Sequence, residues 1–173
     1  MKQLPVLGLV LLLAACTGSR PRVQDRMQPA TGAAAYFAND STAARAADAL
    51  FVMKEPTLNG YTGKGDFIRL LWLPTFSNLS VTRINKFDDV LYANYKEMRL
   101  DGVVVRDTLI VLQDKAWKDL PAQLTETIPQ QTPAEDGITW YLESRINGKY
   151  QVRSGWDDGS ATGSILQSML KIR

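Results

Sequence analysis

Histidine is absent from this 173-residue chain, and its absence excludes more chemistry than any residue present supplies. Without imidazole there is no Ser-His-Asp or Cys-His relay, no H-E-x-x-H zinc helix and no histidine pH switch. The single cysteine, Cys16, leaves no second thiol for an internal disulfide. Charge of one sign is scarce as well: 20 Lys+Arg stand against 18 Asp+Glu, a formal net charge of +2, with no block of like charge. That removes the footprint expected for nucleic acid and any need for an anionic membrane surface. The apolar run from Leu4 to Leu13 is too short to span a bilayer as a finished helix. An enzyme built from what remains is confined to carboxylate chemistry, a Ser-Lys pair or an oxygen-only metal site.

That short run is informative for another reason. Lys2 supplies a positive start, Leu4 to Leu13 an apolar segment, and Ala14-Ala15 place two small residues directly before Cys16. The arrangement resembles a bacterial lipobox. The resemblance implies cleavage between Ala15 and Cys16 and a diacylglyceryl group on the Cys16 sulfur. It also implies, in many diderm bacteria, a third acyl chain on the new amino group. Two or three chains anchor a protein stably where one does not. Thr17, not an aspartate, follows Cys16. The expected location is therefore the cell envelope, and in a diderm the outer membrane facing the periplasm.

Residues 1–15 then read as a lipoprotein signal peptide and residues 16–35 as a flexible tether. The tether holds Gly18, Ser19, Pro21, Pro29 and Gly32 and has no apolar period. Residues 36–173 are long enough for one domain with a sizeable core.

Within that domain the periodicity changes twice. Asn39 to Ser41 offer caps for a helix over Ser41 to Met53, whose Ala46, Ala49, Leu50 and Met53 share one face. The stretch Gly60-Tyr61-Thr62-Gly63-Lys64-Gly65 has the wrong spacing for a phosphate loop and reads as a glycine-rich turn. Phe67 to Leu73, stopped by Pro74, has the density of a central strand buried on both faces. Leu79 to Lys86 and Val90 to Met98 form a hairpin around Phe87-Asp88-Asp89, and Asp107 to Gln113 a further strand. Asp114 is placed to cap a helix carrying Trp117, Leu120 and Leu124 on one side, which Pro121 must kink or restart. Residues 128–137 are a loop. After Asp157-Asp158-Gly159 a helix begins near Ser160 to Thr162 and closes the domain with Ile165, Leu166, Met169 and Leu170. The expectation is an α+β fold, an antiparallel β-sheet with helices packed mainly on one side.

The last hairpin poses a question of register. Asn147-Gly148 invites a two-residue type I′ turn. That turn sets Val152 opposite Glu143 and puts Trp140 and Leu142 on the face of Gln151 and Arg153, a mismatch of polarity. A three-residue loop, Ile146-Asn147-Gly148, repairs it by joining Ile138, Trp140 and Leu142 to Tyr150, Val152 and Trp156. Thr139, Tyr141, Glu143 and Arg145 then share a polar face with Lys149, Gln151 and Arg153. The bulged form is the expected one. The predicted partner-contact residues follow from it: Tyr141, Glu143, Arg145, Gln151 and Arg153.

The segment from Gly65 onward resembles a family of small secreted or lipid-anchored bacterial proteins without an assigned activity. The residues carrying this are Phe67-Ile68-Arg69-Leu70-Leu71-Trp72-Leu73, Trp117, Gly137-Ile138-Thr139-Trp140-Tyr141-Leu142-Glu143, Asn147-Gly148-Lys149-Tyr150 and Trp156. The glycine-rich segment usual after the second hairpin is reduced here to Leu100-Asp101-Gly102. The resemblance implies fold and location, with no catalytic residues.

Two other constellations have a bland and a sharp reading. Trp72, Trp117, Trp140 and Trp156 could line a glycan groove, although periodicity favours core packing. Asp157-Asp158-Gly159-Ser160 could bind calcium or pair with Glu143 as hydrolase carboxylates. The calcium register is missing, however, and turn chemistry accounts for the same residues, as it does for Asp88-Asp89. The expectation is a non-enzymatic envelope lipoprotein acting through protein–protein contact, as an accessory or an immunity-type inhibitor. It carries no cofactor and no metal, is held by its lipid, and has an envelope protein as partner. The alternatives are a peptidoglycan- or small-ligand-binding module and a carboxylate hydrolase.

Overall fold

The computed structural model describes Gly32, Tyr36, Phe37 and residues 41–173. The signal peptide, Ala15 and Cys16, the tether apart from Gly32, and the Asn39 cap lie outside the described residues.

Six antiparallel strands form one sheet in the order β4-β3-β2-β1-β5-β6. In chain order these are β1 (Asp66–Pro74), β2 (Leu79–Phe87), β3 (Val90–Met98), β4 (Val104–Val111), β5 (Ile138–Ile146) and β6 (Lys149–Asp157). β1 is central and pairs Arg69 with both Arg83 of β2 and Glu143 of β5. Its burial on both faces explains the uninterrupted apolar run. β4 begins at Val104, earlier than the expected Asp107. Its register shifts against Glu97/Met98, and this irregularity hides the strand's start from a period-two reading.

Among the described residues, four α-helices accompany the sheet: α1 (Ala44–Val52), α2 (Lys115–Lys118), α3 (Leu120–Gln123) and α4 (Ser164–Leu170). α1 follows a 3-10 turn, Ser41–Ala43, and buries Ala46, Ala49 and Leu50, with Met53 buried just beyond. Pro121 restarts the chain as α3, where its missing amide is harmless in the first turn. Asp114 precedes α2 without a side-chain capping bond, contrary to expectation: its own backbone is already helical, so its carboxyl is not set for the amides beyond.

The two larger apolar clusters divide the sheet residues by parity, and a small third one gathers Leu58 and Phe67 with Tyr61, Phe87 and Tyr150. α1, with Tyr36 and Phe37, packs with Leu71, Leu73, Leu79, Val81 and Met98. Trp117, Leu120, Ile165, Leu166 and Met169 pack with Ile68, Leu70, Ile84 and Trp140. Because alternate residues of β1 face opposite ways, α1 shares a cluster with one set and α2 to α4 with the other.

Candidate functional site

The β5–β6 hairpin overturns the expected register. Ile146 pairs with Lys149, leaving Asn147 and Gly148 alone in the loop with φ of 51° and 78°. Two successive left-handed residues are the mark of a type I′ turn, which asparagine and glycine tolerate best. The three-residue bulged loop does not form. Glu143 lies opposite Val152, and Leu142 opposite Arg153. Tyr141, Glu143 and Arg145 therefore lie on one face, and Gln151 and Arg153 on the other. The mismatch is tolerated because β6 is an edge strand, where Val152 stays 43% exposed and Gln151 faces solvent.

The five residues consequently do not make one surface. Tyr141 packs beside Phe37, ring centroids 5.1 Å apart. Glu143 is 2% exposed. Arg145 stacks over the Tyr61 ring at 5.2 Å and donates to the Gly65 carbonyl at 3.1 Å. Arg153 donates to the Glu126 carbonyl at 2.8 Å, and only Gln151 is exposed and without an assigned contact.

What takes Glu143 inward is Arg69, which sequence reading left without a role. Arg69 stands mid-strand in the central strand, 0% exposed. Its Nε donates to Glu143 Oε2 at 2.6 Å, its Nη2 pairs with the same carboxylate, and its Nη1 donates to the Pro56 carbonyl at 2.6 Å. Arg83, directly across on β2, would repel Arg69. Glu55 lies between them, with Oε2 2.9 Å from Arg83 Nε and 3.8 Å from Arg69 Nη1, and Oε1 3.2 Å from Lys96 Nζ.

Glu55 arrives there through the end of α1. Lys54 turns into the left-handed region (φ 55°), its amide bonds the Phe51 carbonyl, and the Glu55 amide bonds the Leu50 carbonyl at 2.9 Å. This double closure of the last helical turn delivers the next side chain onto the sheet. Tyr36 hydroxyl donates to the Glu55 carbonyl, and Tyr150 hydroxyl donates to Glu143 Oε1 at 2.7 Å.

Electrostatics follow from this geometry. Burial pushes Glu55 up, but Arg83, Arg69 and Lys96 together outweigh it, so its carboxyl is held below the usual range. Burial raises Tyr36 to about 12, opposed by Arg69 and assisted by Glu55 and Glu143. Burial, then Glu143, raises Tyr150 as well. The cluster is closed and its groups are paired, so it organises the sheet rather than presenting a reactive group.

The candidate carboxylate pair is not assembled. Glu143 and Asp157 lie on opposite faces, because Ile138, odd-placed against Glu143, pairs with Asp157. Asp157 is 0% exposed and accepts from the amides of Gly159, Ala161 and Thr162 at 2.7 to 2.9 Å. It holds the turn into α4, as the turn reading expected. Among the described residues, no group of three or more His, Cys, Asp or Glu could hold a metal ion.

Open features of the described residues lie elsewhere. A cleft of about 450 Å³ is lined by Trp72, Asn78, Ser80, Tyr95, Glu97 and Arg173, among others. Another is the outer edge of β4, where Leu109 and Val111 are 61% and 80% exposed. A second cleft, about 350 Å³, joins the glycine-rich turn at Gly63-Lys64-Gly65 to Lys86, Asp88 and Arg145. Asp66 and Asp88 line it as well, Lys86 lies over the Trp117 ring at 5.6 Å, and Arg145 is already engaged. No protein-family model, curated protein or solved structure matches this chain.

Proposed function

We propose that the protein is a membrane-tethered envelope lipoprotein that acts without catalysis, by protein–protein contact through β4. The observation supporting this is the outer half of β4, Thr108-Leu109-Ile110-Val111. It carries no proline or charge, and Leu109 and Val111 project from the face that bears Arg69 and Arg83. Edge strands in soluble proteins are usually blunted by lysine, proline or a bulge, and this one has its irregularity only near its start. An extended segment of a partner protein would add to it as a seventh strand, taking up its free amides and carbonyls and covering the two side chains.

The polar hairpin residues do not form the contact, since they are divided between two faces and partly buried. The lipid on Cys16 keeps the partner search at one membrane, in line with an accessory or immunity-type role. Replacing Cys16→Ser is expected to abolish acylation and move the protein to the soluble fraction. Unchanged membrane retention would refute lipid tethering.

The contact is tested by in-cell photo-crosslinking from positions 109 and 111 in turn. One recurrent protein adduct, lost on Leu109→Lys or Val111→Lys at the unsubstituted neighbour, is the expected result. Absence of any protein adduct at normal expression would remove the β4 contact.

A further inference from the structure

We infer that the cleft beside Trp72 is a saccharide-binding site, independent of the β4 contact and on the opposite face of the sheet. The inference begins with one cross-strand row. Trp72 on β1 pairs with Ser80 on β2, and Ser80 pairs with Glu97 on β3. A serine between a tryptophan and a glutamate leaves space where a larger side chain would cover the indole. The row opens into the cleft of about 450 Å³, within the size range of small-ligand sites.

Its chemistry is selective. Trp72 is partly exposed while packing against the core cluster below, so it is a braced aromatic surface. Tyr95 cannot serve as a second platform, because Arg106 lies 4.9 Å over its ring. Glu97 is held ready as an acceptor: Asn78 Nδ2 donates to Oε1 at 2.6 Å and Tyr95 hydroxyl donates to Oε2 at 3.4 Å. Asn78, Ser80 and Arg173 add donors around the rim, Asn78 also an amide oxygen.

The Glu97 carboxylate disfavours an anionic group beside it, and Arg173 on the rim balances its charge, so the cleft as a whole calls for no net charge on its ligand. The polar rim disfavours an acyl chain, whose burial would strand these groups unpaired. What suits an aromatic plate bordered by a carboxylate, an amide and hydroxyls is a ring with one C–H face and a polar equator. That ligand is a neutral or N-acetylated hexopyranose.

The test is titration of the purified full chain with N-acetylglucosamine, cellulose and maltose tetrasaccharides, read by amide NMR shifts and tryptophan fluorescence. The expected result is saturable change confined to Trp72, Asn78, Ser80 and Glu97. Affinity should fall about tenfold on Trp72→Ala and on Asn78→Ala. Asn78 is exposed, so its variant keeps the fold if Trp72→Ala does not. Ser80→Phe, which fills the cleft, should abolish binding. No saturable shift with any tetrasaccharide, or shifts elsewhere in the folded protein, would overturn the site. Neither result bears on crosslinking from β4, so the two readings stand or fall separately.

Discussion

Replacing Glu55→Gln removes the one negative charge that three cations share and changes little else in shape. The carboxylate is 0% exposed, with Arg83, Lys96 and Arg69 at 2.9, 3.2 and 3.8 Å. At an effective dielectric of about 20 each pair is worth roughly 4–6 kcal/mol gross, and desolvation of the ions takes most of that back. The informative quantity is the effect of removing one partner. Arg69 would keep Glu143, but Arg83 and Lys96 would lose their close buried counter-ion, at about 3–5 kcal/mol. For a domain of this size the loss corresponds to roughly 6–20 °C in Tm.

Equilibrium urea unfolding, followed by tryptophan fluorescence, measures the difference. Its pH dependence checks the cause. Glu55 has a lower pKa folded than unfolded, so its contribution is complete above the ordinary carboxylate range. The contribution is lost as pH falls through the depressed folded value, where the native protein also holds a neutral group at this position. The gap between native and Glu55→Gln proteins should therefore close in acid. A difference under about 1 kcal/mol at neutral pH, or one that widens in acid, would refute the account.

Tyr36, raised to about 12 by burial, should stay protonated after exposed tyrosines ionise. The raised value means a stability contribution complete below pH ~10 and lost as pH rises toward 12, about 2–3 kcal/mol in all. Absorbance titration of Tyr36→Phe against the native protein isolates the late-ionising group; an early one would count against the buried placement. Gly155 sits across from Trp140, and a Cβ there would meet Trp140 Cζ2 at 2.5 Å. Gly155→Ala should cost about 1–3 kcal/mol by overpacking, measured by thermal unfolding, and a neutral result would mean that the indole moves freely.

Much of the scaffold was legible from local pattern. β1, β2, β3 and β5 fall within a residue or two of their expected bounds, because alternation and the stops at Pro74 and Asp88-Asp89 are properties of neighbouring residues. The buried face of α1 was legible for the same reason. Asp157 was legible as turn chemistry, its acceptors serving amides two to five residues on. Arg69 carried a signal that went unused: one arginine inside a run buried on both faces must find a carboxylate. Glu143 could have been that carboxylate, yet its place in an alternating strand read as solvent-facing.

Local order alone determined the strands alternating in polarity, the helix faces and the turn residues. Tertiary structure decided which turn the last hairpin takes, that Glu143 turns inward, and that Trp72 borders a cleft. The reason is separation along the chain. Arg69 and Glu143 are 74 residues apart, and Arg83 and Glu55 are 28 apart. A polarity pattern says that a charge is present, whereas only packing brings up the partner that lets it be buried.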